Sequence, residues 1–347
     1  MMNSEIEIFG VKSEQKIPYY EDNTRISNSS LGWFLTSPKL YRDILDGNVK
    51  LKPTSAMENG TMVHMYILQP DEFKSTYRIL DFTIPTSAQQ KQFCVDYINS
   101  KATTVILKAV EAFKANYSTT GKSEEDNAKK GLEMALKLKP YIKWLRSKDG
   151  DKKVISWSDL NTLKITKENV LLHKKAKELL FNSANSEEVV TYNEFHVNWS
   201  WMTEKTSEQV RALECKSLID RLIVDHKNKK ITMVDIKTTV SVKDFKKSFS
   251  EYDYGRQMAF YWFAIRYQLE VIEELDLTGY EHETYIVALQ NNGTAECRVF
   301  RVSDDTIETK AEEIKQILSD IDWHIKNNLW DYTRSYYERD GVENLLL

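Results

Sequence analysis

The sequence predicts an α/β fold, a mixed central sheet flanked by helices, with a helical insertion ahead of the sheet. Three observations carry this. Two apolar, β-rich runs at 217–224 and 231–240 enclose a short polar stretch, as the strands of a hairpin do. A second pair, 285–289 and 296–302, encloses Asn291-Asn292-Gly293, and Asn-Gly is a strong turn signal between β-rich runs. Between 86 and 182 the apolar residues instead recur at helical spacing.

In chain order, residues 1–25 are polar with few apolar anchors and read as an extended arm. Residues 26–85 hold short N-terminal helices, including the one that carries His64. The insertion at 86–182 contains helices near 102–117 and 126–145, separated by the loop 118–123. The core, 183–330, places antiparallel strands over 188–240, helices through 268, the second hairpin, and a helix near 304–327. The tail, 331–347, is rich in Tyr and charge and is expected to dock on a neighbouring subunit. No internal repeat or low-complexity tract interrupts this plan.

Composition narrows the class. The 347 residues are 41% apolar, enough for a sizeable core, and no window has the uninterrupted apolar run of a membrane span. The N-terminus lacks a signal pattern, so a cytoplasmic location is expected. Cys94, Cys215 and Cys297 are far apart and odd in number, which argues against a disulfide framework, a zinc knuckle or an iron–sulfur cluster. A net charge of −4 is not that of a protein that coats DNA. A narrow acidic site would need only a local basic path, and residues 137–153 offer one. There Lys143 and Arg146 lie among other cations, interleaved with Tyr141 and Trp144. The alternative is a solvated helix face. Lys243, with Lys246 and Lys247, makes a smaller patch, and Lys216 just before the first apolar strand and Arg221 within it are further candidates for the DNA path.

The first hairpin carries the chemistry. If Asn228-Lys229 form a two-residue turn, Asp220 faces Lys237 and Leu222 faces Asp235. Alternate residues share a face, and so do directly opposed ones, so Asp220, Asp235 and Lys237 converge. Charges on otherwise buried strands are costly unless they are paired or hold a metal. Carboxylates suit Mg²⁺, and a neighbouring lysine can position or deprotonate an attacking water. That combination points to metal-dependent phosphodiester cleavage. The plainer alternative is an Asp–Lys ion pair on an amphipathic sheet.

Several blocks in order extend the reading. They are Ile26-Ser27-Asn28-Ser29-Ser30-Leu31 with Ser37-Pro38-Lys39-Leu40-Tyr41, then Gly60-Thr61-Met62-Val63-His64 running on to Phe73. Next come Glu194-Phe195-His196-Val197-Asn198-Trp199, the Asp220 and Asp235-Ile236-Lys237-Thr238-Thr239 hairpin, and Tyr252-x-Tyr254-x-x-Gln257-x-Ala259-x-Tyr261. Together they resemble the phage and prophage RecE-type (exonuclease VIII-like) branch of the PD-(D/E)XK nuclease superfamily. Four positions depart from the family pattern. Leu218 and Ile219 replace an arginine and a proline, Gly255 replaces a histidine, and His196 replaces a serine.

The resemblance implies that His64, Asp220 and Asp235 ligate a metal, with Ile236 lending its backbone carbonyl. It makes Lys237 the water-activating residue and places Gln257 and Tyr261 beside the site. Glu194 is expected behind the ligands rather than among them. Without the family, His64 would read as a core residue, and Gln257 with Tyr261 as a half-buried helical pair. The implied cofactor is Mg²⁺, with Mn²⁺ as a substitute. The implied activity is a 5′→3′ exonuclease on double-stranded DNA ends. The implied setting is phage-type recombination in a bacterial host, beside a single-strand annealing protein and as a homo-oligomer. A non-catalytic DNA-binding or assembly protein and an endonuclease on the same core are the alternatives.

Overall fold

The computed structural model describes residues 19–20, 22–80, 82–121, 123–147, 151–182, 188–205, 210–292 and 294–342. The chain forms two compact units. One joins the residues up to Gln69 to Lys164–Leu347, and the other is Pro70–Leu163.

The first unit begins with α1 (Asn28–Thr36), which opens on a capping box between Ser27 and Ser30. In α2 (Pro38–Leu45), Pro38 fills a helix start, where an N–H would have no partner in any case. Thr54 caps α3 (Ser55–Leu68), the helix that bears His64.

The second unit holds α4 (Pro70–Thr76), β1 (Tyr77–Ile79), α5 (Ala88–Asn99), α6 (Val105–Asn116), α7 (Glu124–Lys137), α8 (Lys139–Leu145) and β2 (Lys153–Ile155). β1 and β2 pair in parallel. Its core is built on Phe93, Cys94, Ala109, Phe113, Ala135 and Tyr141. At Gly131, α6 and α7 come so close that a Cβ would stand 2.6 Å from the Ala109 carbonyl oxygen. The single helix expected at 126–145 is broken at Leu138, because Pro140 cannot donate within a helix and is seated in the first turn of α8.

This unit starts at Pro70 rather than 86 and ends at Leu163 rather than 182. α9 (Trp157–Leu172) crosses the boundary, and α10 (Lys174–Phe181) follows it. Their residues beyond Leu163 belong to the first unit. Asn169 donates to the Ala295 carbonyl, and α10 packs on the last strand of the core.

That core is a five-stranded sheet of β3 (Val189–Lys205), β4 (Val210–Asp225), β5 (Lys230–Thr239), β6 (Glu281–Gln290) and β7 (Cys297–Val302). The strands stand in that order, antiparallel except for the parallel β5–β6 pair. The crossover between these two runs through α11 (Phe245–Glu251), α12 (Tyr254–Arg266) and a π-helical turn at Tyr267–Ile272. α12 is buried from Met258 through Ile265 because it packs against both the sheet and α13 (Asp304–Asn327). Within this core Trp199 stacks on Phe263 and donates Nε1–H to Ser217.

The first hairpin differs from expectation in its turn. His226–Lys229 form a four-residue loop closed by the pair Asp225↔Lys230. The Asp225 carboxylate accepts from the backbone and side-chain N–H groups of Asn228, and Lys229 takes a positive φ of 49°. Register therefore moves by two residues. Parity survives, but Asp220 falls opposite Asp235 rather than Lys237. The β4–β5 ladder stops at Arg221↔Val234, one step short of that position. Beyond the fork, Ile26 bridges the vacated edge of β4, exchanging hydrogen bonds with Glu214 and Lys216.

The N-terminal arm also departs from expectation. Most of the arm, residues 1–18, lies outside the described residues. The part next to α1 is packed, since Asp22 is buried and binds Thr24 and Arg25. In the tail, Trp330 stacks on Tyr41 and His324 of its own chain, and α14 (Arg334–Glu338) packs on α13. The described part of the tail thus covers its own core. Residues 343–347 lie outside the described residues.

Candidate active site

The fork between β4 and β5 makes the site. Where the ladder ends, the Ile236 N–H donates to Asp220 Oδ2 at 2.6 Å instead of to a strand carbonyl. The N–H and C=O of a strand residue point to the same edge, so the Ile236 carbonyl also faces the fork. Glu194 enters from β3. The pairs Asn193↔Arg221 and Phe195↔Ile219 flank it, which sets it opposite Asp220. Its φ of 47° is left-handed, a conformation that costs about 1–2 kcal/mol in a residue with a Cβ. Strain of this size is held at positions the surroundings over-determine, and these gather at functional sites.

His64 reaches in from α3. Its Nδ1 lies 3.4 Å from Asp220 Oδ1 and 3.9 Å from Glu194 Oε1. Ligand atoms of His64, Glu194 and Asp220 all lie within 4.8 Å of one another, close enough to share one metal ion. Glu194, expected behind the ligands, is a member of the cluster itself.

Asp235 and Lys237 complete the set. Asp235 is 1% exposed. Its Oδ2 stands 2.6 Å from Lys237 Nζ as an ion pair without hydrogen-bond geometry. Its Oδ1 accepts from Gln257 Nε2 at a long 3.5 Å, and the same amide donates to the Tyr261 hydroxyl at 2.7 Å. The Lys237 ammonium also lies 5.0 Å from the centre of the Tyr254 ring.

Burial and charge act in opposition here. Burial disfavours the His64 imidazolium, but Asp220 and Glu194 outweigh it and raise the pKa to about 9. Burial raises Asp235 to about 6, with Asp220 adding to it and Lys237 opposing. Burial also works against the Lys237 ammonium, yet Asp235 and Asp220 hold its pKa above the ordinary value. For Asp220, His64 overcomes burial and lowers the pKa. The donor set fits a divalent cation. With His64 neutral, three carboxylates and one ammonium leave an excess of two negative charges, and hard oxygen donors predominate.

The structure brings together His64, Glu194, Asp220, Asp235, Ile236, Lys237, Gln257 and Tyr261. Of the residues expected along a DNA path, it buries Lys216, Arg221, Tyr141 and Trp144. Lys216 is buried, its ammonium bound by the carbonyls of Tyr19 and Asp22 and lying over the Tyr19 ring. Arg221 is 1% exposed and donates to Asn193 Oδ1 and the Asn182 carbonyl. Tyr141 and Trp144 are buried in the core of the second unit, so neither can stack on a base. Lys143 is exposed, Arg146 lies over the Tyr97 ring, and Lys148 is outside the described residues. Lys243 is exposed just past β5. Sequence reasoning missed Tyr254 as the partner of Lys237, although it lies in the Tyr-x-Tyr block; only the fold shows which tyrosine of that block reaches the lysine.

Among the described residues, no helix is long and apolar enough to cross a membrane. Residues 201–333 match the family model described as a PDDEXK-like domain of unknown function. No curated protein matches the chain. Among solved structures, it is similar to a candidate exonuclease from Eubacterium rectale, at 11% identity over 98% of this chain and 96% of that one. The TM-score of 0.46 is too low for that likeness to bear on fold or chemistry. The matched segment holds Asp220, Asp235 and Lys237, while His64 and Glu194 come to them from outside it. Residues 201–333 thus resemble a PDDEXK-like domain, and the forked hairpin of β4 and β5 lies within the matched segment.

Proposed function

We propose that this protein is a Mg²⁺-dependent DNA exonuclease that hydrolyses phosphodiester bonds at double-stranded ends. The observation that carries the reading is the junction of two groups at one fork. The His64–Glu194–Asp220 cluster meets the Asp235–Lys237 pair, so a cation site adjoins a fixed ammonium. A divalent cation held there would supply Lewis acidity at the phosphoryl oxygen and a lower pKa for water. His64, Glu194, Asp220 and Asp235, with the Ile236 carbonyl, are the residues that would hold it.

Lys237 is charged at neutral pH, which favours donation over proton abstraction. Its ammonium orients the attacking water and offsets the charge that develops on the phosphoryl group. Asp235 and the Tyr254 ring hold that ammonium at the fork. Gln257, braced by Tyr261, fixes the second oxygen of Asp235. The restriction to duplex ends, the 5′→3′ polarity and an annealing partner rest on the resemblance to RecE-type exonucleases.

The test uses closed circular and linear duplex DNA, labelled at the 5′ or the 3′ end, with Mg²⁺ or with chelator. Metal-dependent loss of linear DNA alone, from the 5′ end, is expected. Cutting of the circle would make the protein an endonuclease. Intact DNA of both kinds would make it a binding or assembly protein.

A further inference from the structure

A second site lies on the same unit, away from the fork. A cavity of about 410 Å³ opens beside the far part of β3, walled by Trp201 and by Trp323 of α13. Lys315, Lys326 and Arg334 line it with cationic heads. Both indoles are half-buried, unlike the aromatics of α8, and the Trp323 ring also lies against that of Tyr337. Trp201 packs edge-on against Phe263, and the Arg334 guanidinium lies 5.9 Å from the centre of the Trp323 rings.

The cations are held in place from below. The buried carboxylate of Asp322 binds Arg211 at 2.7 Å and Lys326 at 2.9 Å. Lys315 pairs with Glu312, which is 72% exposed, and Arg334 with Glu338, which is 49% exposed, and with the less exposed Asp320 at 3.3 Å. Exposed pairs of this kind are weak and screened by salt, so a more highly charged anion can displace them. Aromatic walls with a cationic rim are the elements that hold a base and its phosphate without reading sequence.

We infer that this cavity binds one nucleotide unit, the base against the indoles and the phosphate on Lys315, Lys326 and Arg334. The choice of ligand rests on the nuclease reading. Trp201 lies seven residues along β3 from Glu194, on the order of 23 Å at about 3.3 Å per residue. That separation spans about seven steps of a duplex strand at 3.4 Å each. Glu194 and Trp201 are an odd number of residues apart and face opposite sides of β3, an edge strand, so a nucleic-acid strand that also occupies the fork must pass around that edge; otherwise the unit is a free mononucleotide.

The test uses the full chain carrying Asp235→Asn, so that DNA is not consumed. Lys315→Gln with Arg334→Gln removes two of the three cations that line the cavity. The probes are dTMP, a five-nucleotide and a twenty-nucleotide oligothymidylate, read by tryptophan fluorescence and by anisotropy. The double variant should bind the twenty-mer at least about ten-fold more weakly. The five-mer, with fewer nucleotides to occupy both sites, should lose less affinity than the twenty-mer. Lys315→Arg with Arg334→Lys should keep parental affinity, which separates lost charge from lost folding. If dTMP alone loses binding, the site takes the free mononucleotide, which also supports the inference. Unchanged affinity for both dTMP and the twenty-mer would overturn it. Hydrolysis by the unmodified chain is scored separately, so an inactive protein would sink the nuclease reading and leave this result standing.

Discussion

Cation binding at the fork should be coupled to release of one proton, and His64 is its source. The imidazole is raised to about 9 by Asp220 and Glu194, against burial. A ligating imidazole must be neutral. At pH 7, two units below that pKa, about one molecule in a hundred has His64 neutral, a handicap of roughly 2.7 kcal/mol. Apparent affinity for Mg²⁺ should therefore strengthen about ten-fold per pH unit, or roughly thirty-fold between pH 7 and pH 8.5. Asp235, at about 6, is largely ionised over this range and adds little to the slope. Titration calorimetry in two buffers of different ionisation enthalpy measures the protons released, and nearly one is expected at pH 7.5. His64→Gln keeps a polar side chain but cannot be protonated, so its slope should be flat. A dissociation constant independent of pH in the unmodified chain would refute the argument. So would a slope that persists in His64→Gln.

Three further outcomes follow from the same geometry. Asp235→Asn and Lys237→Ala should each lower hydrolysis on the order of 10²-fold or more, with circular dichroism unchanged; near-normal rates in either would remove that residue from catalysis. Without metal, His64 has a folded-state pKa above its unfolded value, so its stabilisation is complete below about 6.5 and is lost as pH rises through about 9; melting temperature should fall over that window, and His64→Gln should abolish the fall. Lys143→Glu with Arg146→Glu should shallow the salt dependence of DNA affinity by about 0.9 per lost phosphate contact, without any change in base preference; an identical salt slope would assign α8 to folding alone.

The parts of the fold legible in the sequence are those set by local rules. Strands β6 and β7, the Asn-rich turn between them and α13 followed from β-rich runs and helical spacing. The boundaries of the second unit were not legible. They depend on which half of α9 packs on which core, and the apolar residues of that helix show no dominant face. The burial of Lys216 and Arg221 was also hidden. Each is bound by carbonyl or amide oxygens from segments remote in sequence, Tyr19 and Asp22 in one case and Asn182 and Asn193 in the other. Gly255, where the family carries a histidine, has a reason only in three dimensions. A Cβ there would stand 3.2 Å from Thr306 and 3.3 Å from Lys310, so α13 occupies the space of a larger side chain.

The hairpin separates what parity can establish from what it cannot. A strand presents alternate residues to one face whatever its turn, so Asp220, Asp235 and Lys237 share a face for any turn with an even number of residues. Which of them oppose one another depends on the turn length, and the four-residue loop moves that pairing by two. With the expected two-residue turn, Asp220 would meet Lys237 and the site would be a neutral ion pair. In the observed register, Asp220 meets Asp235, and Lys237 pairs with Asp235. Like charges opposed across a ladder repel. The strands part at that step, and the Ile236 N–H turns to Asp220. The fork and the opposition of Asp220 and Asp235 across it are therefore one consequence of two additional turn residues.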